Sequence, residues 1–297
     1  MNQQQSICSQ AREKTRAKRA ATQVFSFFTL RAAAFVNCAA LVIACVFLFV
    51  NGIGALDIEF VLDSPREMMT SGGVFPCLVG TFLLAAGAIA IALPFGVACA
   101  VWLNEYGKQG PVVDIVRLSV ANLAGVPSIV FGLFGLAFFV TALGFNVSLL
   151  SGILTLAVLT LPVIINTTEE ALKQVPRSWR DASLALGATK SQAIGRIVLP
   201  SALPGILTGA ILAVARAAGE TVMFTAAVFY TPKLPESVWS SVMALPYHMY
   251  VLATAGTEIE KTRPMQYGTG LLLVVLVFAM NLIAILIRDK MQKKRLA

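Results

Sequence analysis

Two charged residues stand inside one of the long apolar stretches of this sequence. Arg216 and Glu220 lie in the stretch 202–230, four residues apart, a spacing that places two side chains on one face of an α-helix. Because charges are costly in lipid, such residues normally face the interior of a helix bundle or a water-filled path. Two interpretations remain open. The two residues neutralise each other or pin two helices together, or Arg216 faces a translocation path and is held there by Glu220 and Thr221.

The segment 181–200, DASLALGATKSQAIGRIVLP, is a second candidate, because it is mixed in polarity and lies between two apolar stretches. Apolar side chains recur at helical spacing on both sides of Gly187, which predicts two short amphipathic helices that meet at this glycine before Pro200 begins the next apolar stretch. A connection of this length usually carries a function of its own. The letters LGATKS faintly resemble a phosphate-binding loop, but Thr189 occupies the position of a required glycine, which excludes ATP binding by that motif.

Pro127 and Ser128 lie within a third apolar stretch, in the sequence GVPSIVFGLFG. Proline cannot donate a backbone hydrogen bond, so the stretch is predicted to be either kinked or broken. A broken helix at membrane depth is tolerated where protein or a water-filled cavity satisfies the freed backbone groups. Both alternatives describe a helix that changes direction at Pro127.

The elements that must hold these residues are transmembrane helices. Of the 297 residues, 57% are hydrophobic and only 13% are charged, and the mean hydropathy is +0.79. Soluble proteins carry roughly a quarter charged residues. About 20 apolar residues are enough to cross a bilayer as a helix. Six such stretches are present, at 32–54, 74–103, 118–143, 147–166, 202–230 and 268–287. The sequence therefore predicts an all-α integral membrane protein with six transmembrane helices.

Positive charge is distributed unevenly between the two sides of these helices. If the N-terminus is cytoplasmic, nearly all of the 23 basic residues lie in inside segments. The exceptions are Arg216 within its stretch and, outside, Arg66, Lys233, Lys261 and Arg263. This positive-inside bias predicts that both termini are cytoplasmic, with basic tails at 1–31 and 289–297. It also accounts for the net charge of +8, so no nucleic-acid partner is indicated, and the lipid bilayer is the surface that the basic tails meet.

Catalytic and metal-binding patterns are missing from the sequence. His248 is the only histidine, and no carboxylate stands at a catalytic spacing from it. The five cysteines are not spaced like metal ligands or like a disulfide framework. These patterns disfavour a membrane-embedded enzyme and predict that the chain itself binds no metal or cofactor. A signalling role through the loops remains open beside a transport role.

The segment 181–200 resembles the EAA loop of permease subunits of binding-protein-dependent ABC importers, whose pattern is E-A-A-x2-3-G-x9-I-x-L-P. Here it reads D-A-S-x3-G-x9-I-x-L-P, and the resemblance implies a coupling helix that docks into an ATPase. The implied coupling residues are Asp181, Ala182, Ser183, Gly187, Ala188, Ile197, Leu199 and Pro200. Other stretches are similar to the phosphate-specific members of this family, at 125–135, 166–190 and 215–227 and more loosely at 101–107 and 244–250.

The resemblance implies the type I, MetI-like permease fold, with a first helix at 32–54, a permease domain at 70–288 and a coupling loop at 167–201. It implies a bacterial inner-membrane importer of inorganic phosphate. Its partners would be a homologous permease, an ATPase dimer that binds ATP and Mg, and a periplasmic phosphate-binding protein. The implied translocation residues are Arg216, Glu220, Thr221, Pro127, Ser128 and Asn166. Because Asn166 stands where many phosphate permeases have arginine, another oxyanion such as sulfate or molybdate remains the alternative substrate.

Overall fold

The structure is a computed structural model that describes residues 2–66, 71–108, 110–220, 231, 233–254 and 259–296. It divides into two compact units, Met1–Asn51 and Gly52–Ala297. The helix α1 (Asn2–Gly52) makes up the first unit, and it joins the basic N-terminal stretch to the first apolar stretch without a break. The second unit contains the segments that resemble a permease.

The second unit is built almost entirely of helices. They are α2 (Ile58–Leu62), α3 (Phe75–Val101), α4 (Pro111–Gly125), α5 (Ser128–Gly135), α6 (Leu149–Gln174), α7 (Arg177–Ala185), α8 (Lys190–Ala193), α9 (Leu199–Gly219), α10 (Leu245–Thr254) and α11 (Ile259–Leu296). Within the described residues, three π-helical turns prolong α3, prolong α5 and join α8 to α9, at Trp102–Tyr106, Leu136–Ala142 and Ile194–Val198. A 3-10 turn covers Ile53–Ala55, and Pro65–Arg66 (β1) pairs antiparallel with Ser71–Gly72 (β2).

Small side chains allow the long helices to pack at close range. Gly205 and Gly209 of α9 lie against Ala171 and Thr167 of α6, and a Cβ atom at Gly209 would collide with the Thr167 hydroxyl. Since the partner numbers fall as the α9 numbers rise, α6 and α9 are antiparallel. Close approach of this kind is the use of small-xxx-small spacings in membrane helices.

The predicted set of transmembrane helices is confirmed, and the third and fifth apolar stretches show details that the sequence left open. Within the described residues, five helices are long and apolar enough to cross a membrane: Ser26–Ala55, Phe75–Tyr106, Leu149–Gln174, Lys190–Gly219 and Thr262–Met291. A sixth crossing exists if Pro111–Gly125 and Ser128–Ala142, which meet at an angle of 103°, are taken as one span.

The angle between these two helices results from a break at Pro127. The helix α4 ends at Gly125, Val126 is extended, and α5 begins directly after Pro127. Residues before a proline are pushed out of the helical conformation, because the proline ring clashes with their backbone. Of the two alternatives drawn from the sequence, the broken helix is the one observed. The predicted apolar stretch 118–143 therefore consists of two helical pieces that meet at Pro127.

The fifth apolar stretch also differs from its prediction. A single helix was expected over 202–230, but α9 ends at Gly219 and Glu220 is extended. Its last turn lies near the middle of the bundle, because Ala217 and Ala218 pack with Ala85 of α3 and Met280 of α11. Glycine favours a helix end, being about 1 kcal/mol less favourable than alanine inside a helix.

Candidate functional site

Arg216 lies in the last turn of α9, at the point where this helix ends inside the bundle. Its side chain is half-buried, as is that of Glu220. The prediction that these two residues share a helical face is wrong, because Glu220 follows the end of the helix. No ion pair joins them in the described part of the chain, and Thr221 lies outside the described residues.

The position of Arg216 at a helix end offsets part of the free-energy cost of placing a charge in the membrane. A helix that ends leaves its last carbonyl groups unpaired and carries a partial negative charge there. A cation in the last turn is stabilised by that partial negative charge. The guanidinium has five N–H donors, more than the number of carbonyl groups that a helix end leaves unpaired. Arg216 can therefore face the end of α9 and still offer donors to an anion.

The other predicted translocation residues lie on a different side of α6. Gly135 of α5 packs against Thr155, whereas Gly209 of α9 packs against Thr167. Twelve residues along a helix correspond to a rotation of about 120°, so α5 and α9 occupy different faces of α6. Asn166 is exposed and nearly aligned with Thr155, on the α5 side. Hence Pro127, Ser128 and Asn166 do not form one described cluster with Arg216.

The segment after α6 has the predicted helix, break, helix shape. The helix α7 ends in a Schellman motif, in which the Gly187 N–H donates to Leu184 O at 3.0 Å and the Ala188 N–H donates to Ser183 O at 3.1 Å. Gly187 has φ +84°, a left-handed conformation that favours glycine. The sharp turn predicted at Gly187 is therefore confirmed.

The second short helix begins with a capping box. The Thr189 hydroxyl accepts from the Gln192 N–H at 3.3 Å, and the Gln192 side chain accepts from the Thr189 N–H at 2.9 Å. This arrangement explains the letters LGATKS as a helix start. The helix then continues through a π-helical turn into α9, with Pro200 in the first turn, where its missing N–H costs nothing.

The coupling residues divide into an exposed and a buried set. Asp181, Ala182 and Gly187 are exposed, and Leu186 beside them is 89% exposed. Ser183 is buried, and its hydroxyl donates to Arg180 O at 2.7 Å. The remaining members are half-buried: Ala188, Ile197, Leu199 and Pro200. The turn therefore presents an apolar knob, Leu186, next to a carboxylate.

Arg180 ties this segment to the rest of the bundle. Its guanidinium pairs with Glu105 in the π-helical turn after α3 at 2.7 Å, and it donates to two carbonyl groups at the end of α6, Leu172 O at 2.9 Å and Val175 O at 2.6 Å. No sequence signal pointed to this pair, because 75 residues separate its members.

Known proteins carry the same architecture. Residues 92–296 match the family described as binding-protein-dependent transport system inner membrane component. The chain belongs to this family. It is 32% identical to the probable ABC transporter permease protein YqgI of Bacillus subtilis over 83% of this chain and 90% of that protein. It is 38% identical to the phosphate transport system permease protein PstA 1 of Mycobacterium tuberculosis, over 76% and 73% respectively.

Solved structures support the fold of this permease. A chain of the MetNI methionine ABC transporter in an inward-facing conformation matches with a TM-score of 0.55, covering 74% of this chain and 94% of that one. At 24% identity the likeness shows the fold alone. Family and fold together confirm the predicted MetI-like architecture and the inner-membrane location. They make the chain a transport subunit rather than an enzyme, of a family that works with a substrate-binding protein and an ATPase.

A second ionic cluster lies near the segment 177–200, which contains α7 and α8 and which we call the coupling segment. The Oε1 atom of Glu169, near the end of α6, forms ion pairs with Arg117 of α4 at 2.9 Å and with Lys173 at 2.8 Å. Its side chain is only 8% exposed, and the two cations offset part of the cost of burying its charge. The cluster attaches α4 to α6 and leaves an excess of positive charge at this end of the bundle. It was missed from the sequence, because Arg117 is remote along the chain.

A cleft of about 270 Å³ opens between the end of α6, the start of α7 and the start of α9. Trp179, Pro176 and Pro204 give it apolar walls, and Gln174 and Ser201 contribute polar groups. The cleft lies beside the start of α7, and Arg216 is not among the residues that line it.

His248 has a structural environment. It is buried in α10, and its Nδ1 lies 3.3 Å from the Thr269 hydroxyl. Burial lowers the pKa of its imidazole to about 4, because a charged ring is not solvated there. Among the described residues, no three His, Cys, Asp or Glu side chains are grouped as metal ligands would be.

Proposed function

We propose that this permease forms one half of the transmembrane path of an ATP-driven importer for inorganic phosphate. The observation that carries the proposal is Arg216, a half-buried cation at a helix end in the middle of the bundle. An oxyanion that leaves water needs a positive charge and several N–H donors, and the planar guanidinium fork matches a phosphate edge. The identity to a protein named as a phosphate permease supports phosphate as that oxyanion.

The remaining translocation residues have supporting roles in this proposal. Glu220 and Thr221 follow Arg216 in the sequence, and in this proposal they become its polar partners when substrate binds. The start of α5, where a helix N-terminus favours negative charge, makes Ser128 and Pro127 a second favourable position for an anion. Asn166 is neutral and exposed, and it contributes an amide where many phosphate permeases place a cation. The two sets of residues lie on different faces of α6, and we infer that substrate meets them in succession.

Transport requires partner subunits. A homologous, PstC-like permease supplies the other half of the path, and a PstS-like periplasmic protein delivers phosphate. A PstB-like ATPase dimer, which binds ATP and Mg, docks on the coupling segment. In this arrangement the coupling segment and both chain termini are cytoplasmic, as the distribution of basic residues predicts.

Docking is supported by the shape of the coupling segment. Leu186 and the exposed Asp181 and Ala182 stand out from the bundle around a turn that is closed by hydrogen bonds. An exposed apolar side chain beside a rigid turn suits a groove on a partner surface. Closure of the ATPase would then move α7, and the broken pair α4 and α5 provides a bend about which the bundle can rock.

Uptake of labelled phosphate tests the proposal. The permease is reconstituted in liposomes with its partner permease, its ATPase and the binding protein, with ATP inside. We expect ATP-dependent accumulation of phosphate that a tenfold excess of unlabelled phosphate abolishes and a tenfold excess of sulfate or molybdate leaves unchanged. Absence of phosphate accumulation, or accumulation that a tenfold excess of sulfate or molybdate abolishes, would assign the chain to another oxyanion.

A further inference from the structure

Both short helices of the coupling segment contact one turn of the bundle. Arg180 of α7 pairs with Glu105, and the Nζ atom of Lys190, the first residue of α8, lies 5.1 Å from the centre of the Tyr106 ring. Glu105 and Tyr106 are neighbours in the π-helical turn Trp102–Tyr106 that prolongs α3. We call this turn the receiving turn. It connects the coupling segment directly to α3.

The Arg180 side chain makes more contacts than a surface ion pair would. Its Nη2 atom lies 2.7 Å from Glu105 Oε1 and 2.9 Å from Leu172 O, and its Nη1 atom lies 2.6 Å from Val175 O. The Arg180 and Glu105 side chains are only 18% and 8% exposed. A planar guanidinium that bonds in several directions fixes its partners relative to one another, which a single ammonium does not.

The receiving turn is itself held in place. The Gly107 N–H donates to Trp102 O at 2.6 Å and closes the turn. A Cβ atom at Gly107 would lie 2.8 Å from the Val113 side chain of α4, so α4 closes one side of the turn. The Asn104 amide donates to Glu105 Oε1 at 2.8 Å and orients the carboxylate. Single π-helical turns inside α-helices frequently occur at functional positions.

We propose that Arg180 and Glu105 are positioning residues for coupling, which clamp the coupling segment to α3 and α6 so that the three move as one body. The proposal rests on the proposed transport function. Glu105 is buried and belongs to the bundle, so it is not a docking residue for the ATPase. Loss of its charge therefore separates docking, which should persist, from transmission of the movement, which should fail.

The distance between α7 and α3 tests the clamp without reference to the substrate. Spin labels are placed at the exposed positions Ser178 of α7 and Ala98 of α3, in the assembled complex, and their separation is measured with and without trapped ATP. We expect one narrow distance distribution that ATP does not change, and in Glu105→Gln a distribution that broadens or shifts with ATP. The proposal would be overturned if the separation changed with ATP in the protein with Glu105 and Arg180 intact. It would also be overturned if the distance distribution in Glu105→Gln stayed narrow and independent of ATP.

The number of phosphate ions transported per ATP hydrolysed provides the functional readout. We expect Glu105→Gln and Arg180→Lys to retain the ATPase in the purified complex at normal stoichiometry but to lower this ratio at least about fivefold, the lower end of usual coupling energies between sites. The double variant should be no worse than either single variant, because both break one unit. A normal ratio in Glu105→Gln would contradict the clamp.

Glu170→Gln is the matched control, since Glu170 is an exposed carboxylate on α6 with no ion pair in the described part of the chain. It should leave both the distance and the ratio unchanged. If the clamp only stabilised the fold, Glu105→Gln would lower the yield of complex and the melting temperature while the ratio stayed normal. If neither the unsubstituted complex nor any variant transported phosphate, the proposal of phosphate as substrate would be wrong. The distance measurement would still test the clamp.

Discussion

Substitution of Gly187 tests whether the turn between α7 and α8, which we call the coupling turn, must keep its left-handed backbone. Gly187 has φ +84°, and a Cβ atom built there would have no neighbouring atom within 4 Å. Gly187→Ala therefore adds no clash, and its whole effect is the strain of a left-handed conformation with a side chain, about 1–2 kcal/mol. Asparagine tolerates this conformation far better than alanine, so Gly187→Asn is the matched control. Gly187→Leu carries at least the strain of alanine.

This strain sets the expected size of the effect on ATPase binding. We assume that docking requires the left-handed turn and that, in Gly187→Ala, the undocked segment relaxes to another conformation. The free energy of binding is then reduced by at most the full strain energy. A free energy of 1–2 kcal/mol corresponds to a factor of about 5–30 in an equilibrium constant. We expect the ATPase to bind Gly187→Ala roughly 5–30 times more weakly and Gly187→Leu at least as weakly, with Gly187→Asn close to the original affinity.

Titration of the purified ATPase onto the permease in nanodiscs measures these affinities. The melting temperature of each variant serves as the control for folding, because the turn is exposed and its strain should alter the bundle little. Binding of Gly187→Ala and Gly187→Asn at the original affinity would refute the reasoning, since this result would mean that backbone conformation at this turn does not matter for docking. Weak binding by both would point to a need for close approach at Gly187.

Two further predictions concern Arg216 and His248. Arg216→Gln should leave assembly with the ATPase intact and abolish uptake of phosphate. Arg216→Lys should retain part of the uptake, because lysine keeps the charge but lacks the planar guanidinium fork. Misassembly of Arg216→Gln, or normal uptake by it, would indicate a structural role. The His248 pKa is lowered from 6.5 to about 4, so the fold holds the ring neutral. The free energy of unfolding should be undiminished above pH 6.5 and fall by up to about 3 kcal/mol as the pH drops towards 4. Melting in detergent at about pH 7 and about pH 5 checks this, and His248→Gln should show a smaller difference between the two.

Some elements of the site could be read from the sequence because they depend on neighbouring residues. The helix break at Pro127 follows from proline stereochemistry, and the coupling turn follows from Gly187 between two amphipathic segments. Both are local properties, and both are observed. The end of α9 was not predicted, because the apolar stretch continues through residue 230 and hydropathy does not mark where a helix ends.

The sequence by itself determined the membrane class, the apolar helices and the family, since apolar length and motif spacing do not depend on how the chain packs. Only the tertiary structure decided that α9 ends in the middle of the bundle, that Asn166 and Arg216 belong to different faces of α6, and that Arg180 reaches Glu105. Ion pairs between distant residues are set by which helices become neighbours, and small residues such as Gly209 make that choice through close contact. Charge patterns along a single chain do not contain this information.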